Sequence, residues 1–170
     1  MRRKNATFER AFAGVAHDRP DLQLVLAGGE GWGIGEVRDA VAASGVATRI
    51  ARPGRLPDAA VPALYRRAAA VAYPSHEEGF GLPALEALAC GAPLVTSAGS
   101  ALAEVVGDAA LCVPPGDDVA LAAALRAALE PDVAARLRAA GPARAARFRW
   151  DESVAAHVDL YARVAGPGRA

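Results

Sequence analysis

Two carboxylates eight residues apart, Glu78 and Glu86, frame a glycine-rich turn in the stretch YPSHEEGFGLPALEALACGAPLVTS, residues 73–97. Gly79 and Gly81 flank Phe80 and let the backbone approach a ligand with no Cβ in the way. Pro83 suits a first helical position, because its fixed φ fits there and its missing N–H has no partner to lose. The spacing predicts a two-turn helix burying Leu85, Leu88 and Ala89, stopped by Gly91 before Pro93. Such a helix start offers amide groups and a partial positive charge to a phosphate. Glu78 then stands in the loop, and Glu86 sits about one helical turn inside, off the buried stripe. Carboxylates accept hydrogen bonds well from vicinal hydroxyls. The arrangement suits a molecule with a diphosphate at its centre and hydroxylated rings at both ends, which describes a nucleotide sugar.

The elements around the turn follow from periodicity. Phe8, Phe12 and Val15 fall on one face of an opening helix that Asn5 can cap. LQLVLAG, residues 22–28, reads as a strand buried on both faces of a parallel sheet. The loop GGEGWGIGE that follows fails the dinucleotide fingerprint, because Gly29 and Gly31 need a third glycine where Ile34 stands. A helix over 37–43 ends at Gly45, a strand covers 46–50, and residues 53–58 form a turn whose Asp58 caps a helix over 61–69. Strands are expected at 70–73, 93–96 and 110–113, with a short helix within 98–107. From Asp117 the chain reads as helices over 117–129, 132–140, 142–148 and 150–164. In the last, Trp150, Val154, Val158 and Tyr161 share a face, so that helix is expected to dock on something. Strands alternating with helices imply an α/β fold, a Rossmann-like parallel sheet with helices on both faces, and ligands in such sheets bind beyond the carboxyl ends of the strands.

Composition narrows the classes. At 170 residues the chain is long enough for one domain with a substantial core. It is 53% apolar, yet no apolar run approaches the roughly 18 residues of a membrane span, and no signal peptide opens it. A cytoplasmic protein is expected. Acidic and basic residues balance at 19 each, which argues against nucleic acid as a partner. Cys90 and Cys112 lack metal-ligand spacing and are expected to be buried free thiols; His17, His76 and His157 form no ligand pattern. Of the 19 basic residues only Lys4 is lysine. Either coding bias left it there, or a compact ammonium does something that a guanidinium cannot.

RKN at residues 3–5, LYRRA at 64–68 and the PSHEEGFGLPALEALACGAPLVTS stretch resemble the C-terminal half of family 4 glycosyltransferases. AEVVGDAAL at 103–111 and the closing FRW at 148–150 share the resemblance, which runs along nearly the whole chain. It implies the GT-B architecture, two Rossmann-like domains with the active site between them. Residues 1–165 then form the nucleotide-sugar-binding domain and 166–170 a tail. By the same resemblance, Glu78 contacts the donor sugar, and the amides of Phe80, Gly81 and Leu82, beside Gly79, hold the sugar and diphosphate. Glu86 binds the ribose hydroxyls. Lys4 stabilises the charge on the departing diphosphate, so Lys4 and Glu78 are the expected catalytic groups. Arg3 lies beside that lysine, and the turn around Arg55 and Leu56 lies near the base. A family strand ending in a glycine–arginine pair, which precedes RKN, has no counterpart here, nor does the N-terminal acceptor domain. The sheet is therefore expected to expose an edge.

The activity implied is the donor half of a retaining, metal-independent transferase that needs no cofactor besides its nucleotide-sugar donor. RKN with this motif resembles transferases using GDP-mannose, and UDP-sugars are equally compatible with Glu86. The expected partners are the donor and the acceptor domain or a partner chain. Peripheral association with the inner face of the membrane is compatible with this, and polysaccharide biosynthesis is the expected setting. A split subunit or inactive remnant that binds nucleotide sugar is the alternative reading. A nucleotide-sugar epimerase is disfavoured by the lack of acid/base candidates near Glu78, and a nicotinamide-dependent dehydrogenase by the failed glycine fingerprint.

Overall fold

The computed structural model describes residues 6–29 and 34–165. Lys4 and Arg3, the Asn5 cap, most of the GGEGWG loop and the 166–170 tail lie outside the described residues. The first helix, α1 (Ala6–Asp18), leads into β1 (Leu24–Ala27), α2 (Ile34–Ala43) and β2 (Ile50–Gly54). Next come α3 (Val61–Arg67), β3 (Val71–Tyr73), α4 (Leu82–Ala89), β4 (Leu94–Ser97), α5 (Ser100–Val106) and β5 (Ala110–Val113). Three helices close the chain: α6 (Asp118–Leu129), α7 (Pro131–Ala145) and α8 (Trp150–Ala165). The fold is α/β, as the alternation of strands and helices predicts.

Among the described residues every strand pairing is parallel. β1 pairs with β2, and β3, β4 and β5 pair in that order, Ala72 opposite Val95 and Val95 opposite Leu111. Among the described residues β1 and β3 each carry a ladder on one side only. β4 lies between two neighbours and is buried along its whole length. Its Leu94 faces a core built with Ala84, Leu88, Leu102 and Val106, whereas Val95 faces Ala11, Val15, Leu121 and Leu125 on the opposite side. Helices thus cover both faces of the three-stranded sheet, as expected. The helix α1 reaches both sheets, because Ala11 and Val15 join the second core while Phe12 and Ala16 pack on Leu24 and Ile50. Phe12 and Val15 are buried on the predicted face.

Several local readings are corrected. β1 is not covered on both faces: Leu24 is buried under α1, but Val25 on the other face is 39% exposed. The second strand starts at Ile50, later than expected, because residues 47–49 form a 3₁₀ turn. Ser44 Oγ accepts from the Val46 amide at 3.1 Å, and the Arg49 guanidinium donates to the carbonyls of Ala16, Arg19 and Leu22, holding that turn against the end of α1. The strand therefore runs through Pro53, which an edge strand tolerates. Asp58 does not cap α3; the cap position is Ala60, after a turn closed by its amide on the Pro57 carbonyl at 2.8 Å.

The two helices expected at 132–140 and 142–148 are one helix with Pro142 inside it. Tertiary packing outweighs the proline there. A β-carbon on Gly141 would stand 2.8 Å from the Leu88 carbonyl oxygen, so glycine at 141 lets α7 lie directly on α4. That close fit also changes the buried stripe of α4, which is Ala84, Ala87 and Leu88, with Leu85 half-buried and Ala89 exposed. Small residues are needed where two backbones approach. Both cysteines are free, as expected, but Cys90 is half-buried and Cys112, on the outer strand β5, is exposed. The apolar face of α8 does not dock among the described residues: Trp150 is 77% and Tyr161 66% exposed.

Candidate functional site

The turn between β3 and α4 lies beyond the carboxyl end of β3, where parallel sheets carry their ligands. Gly81 is the N-cap of α4, with φ 91° and ψ 52°. That left-handed conformation suits glycine, and with no side chain to cap the helix, the first-turn amides of α4 have no side-chain acceptor from that position. Leu82 follows as the first helical residue and is 49% exposed. Gly79 is exposed, and Phe80 between the two glycines is 38% exposed.

Glu78 is half-buried and held by hydroxyls. Tyr73 Oη donates to Glu78 Oε1 at 3.1 Å, and Ser75 Oγ donates to the same oxygen at 2.8 Å. Ser75 is itself buried, and its amide donates to Ser97 Oγ at 2.9 Å, which ties the carboxylate's support to the end of β4. Glu86 is exposed on α4, off the buried stripe as expected. Its neighbour is Tyr65 of α3, whose phenol is pushed up to about 12 by burial first and then by the Glu86 charge. Tyr73 is likewise pushed up to about 12, by burial, then by Glu78, and in smaller measure by Tyr65 and Glu86. Both phenols therefore stay protonated across the physiological range.

Glu78 is thus braced by Tyr73 and Ser75, and both carboxylates act on the Tyr73 phenol. The structure brings Glu78, Gly79, Phe80, Gly81, Leu82 and Glu86 together around one turn. Arg55 and Leu56 lie elsewhere, just past the carboxyl end of β2 in the other sheet, where Gly54 with φ 75° starts the loop. Sequence reasoning passed over Tyr73 and Ser75, which donate to Glu78, and Tyr65, which neighbours Glu86. Tyr65 stood in the LYRRA segment and Tyr73 at the head of the turn, but nothing in their spacing marks a tyrosine as a carboxylate's partner.

Chemically, the arrangement places two carboxylates, groups that can accept from hydroxyls, on either side of a glycine-rich turn. Among the described residues no group of three His, Cys, Asp or Glu side chains is placed to hold a metal ion. Among them, too, no helix is long and apolar enough to cross a membrane.

Residues 6–144 match the family model described as "Glycosyl transferases group 1". The chain is 41% identical over 109 residues to the O-antigen chain mannosyltransferase B of Escherichia coli, covering 64% of this chain and 29% of that protein. It is 33% identical over 149 residues to a D-inositol 3-phosphate glycosyltransferase of Acidothermus cellulolyticus, covering 84% of this chain and 33% of the relative. In structure it is similar to the sucrose-phosphate synthase of Thermosynechococcus elongatus, with a TM-score of 0.80 and 28% identity over 94% of this chain and 42% of that one. The chain spans a third or less of these two curated relatives.

Proposed function

This chain belongs to the group 1 glycosyl transferases, and from that membership we propose that it is the donor-binding part of a retaining glycosyltransferase. The observation that carries the reading is the placement of Glu78, held by Tyr73 and Ser75, and of the exposed Glu86 on either side of a start of α4 that no side chain caps. Glu78, fixed by Tyr73 and Ser75, accepts hydroxyls of the donor sugar. The amides of Phe80, Gly81 and Leu82 receive the diphosphate, and Glu86 accepts the ribose hydroxyls. Lys4, with Arg3 beside it, meets the charge that grows on the leaving nucleoside diphosphate. This is electrostatic catalysis by groups oriented in advance. The acceptor hydroxyl attacks from the face the nucleotide leaves, and neither a nucleophile nor a general base is assigned to a side chain.

The donor is a GDP- or UDP-linked sugar, and mannose as the sugar is supported by the likeness to the O-antigen chain mannosyltransferase B. The proposed reaction requires no cofactor or metal. The exposed apolar stripe of α8 supports a further part of the proposal, that an acceptor-binding domain or partner chain packs against this one. Closure of the two halves then keeps water from the donor. A cytoplasmic setting, at the inner face of the membrane, goes with polysaccharide biosynthesis.

The test is an NMR titration of the ¹⁵N-labelled chain with GDP-mannose and UDP-glucose. The reading expects saturable shifts centred on the amides of residues 79–82 and on Glu86. Shifts that scatter over the surface without saturating would refute it.

A further inference from the structure

The FRW segment takes no part in the carboxylate pairs, yet its first residue reaches the turn between them. Phe148 stands edge-on to Phe80, with ring centroids 5.6 Å apart and planes at 85°. On the Phe148 ring lies the guanidinium of Arg144, 5.3 Å from the centroid. That guanidinium is itself fixed: Nε donates to the Val105 carbonyl at 2.8 Å and Nη2 to the Glu104 carbonyl. A β-carbon on Gly107 would already stand 3.4 Å from it. A continuous line of contacts therefore runs from the end of α5 through Arg144 and Phe148 to Phe80.

Phe80 needs such an anchor. It stands between Gly79 and Gly81, the neighbours least able to restrict the backbone around it. On the side where a β-carbon of residue 81 would stand, Leu102 leaves no room for one, and α4 is seated on α7 at Gly141. From the other side the turn is held through the Phe80 ring, which stands against Phe148.

We propose that Phe148 and Arg144 are positioning residues for the turn: through the Phe80 ring they hold the Phe80 and Gly81 amides in the orientation that receives a diphosphate. The ligand half of this inference rests on the donor-site reading; the mechanical half does not. Phe148 touches no substrate in this scheme, and its edge contact with Phe80 together with the cation over its ring gives it one preferred orientation.

The experiment compares wild type, Phe148→Leu and Phe148→Tyr of the full chain by ¹⁵N relaxation and by titration with UDP, GDP and the parent nucleosides. Phe148→Leu should lower the order parameters of the Phe80 and Gly81 amides. It should also weaken the preferred nucleoside diphosphate about tenfold, the share of molecules leaving the competent conformer, while the nucleoside binds as before. Phe148→Tyr keeps the ring and should restore both. Phe80→Leu, at the exposed end of the pair, gives the same pattern if Phe148→Leu does not fold. Unchanged order parameters, or equal losses for nucleoside and diphosphate, would overturn the proposal. If wild type binds none of these probes the donor reading fails, and the relaxation data alone decide: loosened amides support the clamp and unchanged amides refute it.

Discussion

Leu102 fills the space beside Gly81: a β-carbon at residue 81 would overlap Leu102 Cδ2 and stand 3.4 Å from its Cγ. Leu102 is fully buried in the core shared with Ala84, Leu88 and Leu94, so it has little room to yield. The Tyr73 ring edge lies 3.9 Å from the same point. A side chain at residue 81 would thus run into the domain core, beside the tyrosine that braces Glu78. The turn is glycine for two reasons, its φ of 91° and this contact.

Gly81→Ala should therefore destabilise the chain by about 1–3 kcal/mol, the combined scale of a strained left-handed residue and local overpacking. Urea denaturation measures this directly. A variant as stable as wild type would show that Leu102 does not constrain the turn.

The contact of α7 with α4 makes a second, paired prediction. Gly141→Ala places a carbon 2.8 Å from the Leu88 carbonyl, so it should cost about 1–3 kcal/mol despite alanine's better helix propensity. Gly14→Ala, in α1, meets nothing nearer than Arg126 Nη2 at 3.9 Å and should gain about 0.5–1 kcal/mol. Opposite signs for one chemical change, read in the same denaturation assay, test whether packing or propensity governs each helix. Equal effects at the two sites would contradict the packing account.

Glu9 carries a pH prediction. It is 1% exposed on α1, and its Oε2 has no hydrogen-bond partner among the described residues. Burial raises its carboxyl above the ordinary 4.5, opposed by a backbone hydrogen bond and by the charges of Arg10 and Arg52. A folded pKa raised above the unfolded one gives stability that is full below about 4.5 and is lost as pH rises through the folded value. Glu9→Gln should thus be more stable than wild type at pH 7, by about 1 kcal/mol. The advantage should vanish toward pH 4. Urea midpoints of both proteins across that range check it, and a difference independent of pH would contradict the assignment.

The elements that could be read from the sequence were those in which one periodicity dominates. The helix expected over 117–129 is α6 (Asp118–Leu129), with Asp117 as its cap rather than its first residue, and Phe12 and Val15 are buried on the face that their spacing marks. What escaped was set by contacts distant in sequence. Pro142 looks like a helix break until Gly141 is seen against Leu88, and β2 is displaced because Arg49 reaches back to the end of α1. The glutamate pair was legible from residues 78–86 alone. The support of Glu78 was not: Ser97, which fixes Ser75, lies 22 residues away on the next strand.

If the turn and its two carboxylates bind a nucleoside diphosphate, calorimetric titration of this chain with GDP, UDP and ADP, repeated on Glu86→Ala, will detect it. Saturable binding that favours one nucleotide is expected, with a loss in Glu86→Ala of about tenfold or more, the scale of hydrogen bonds to a charged group. A folded chain that binds none of the three, or a Glu86→Ala variant that binds like wild type, would contradict it.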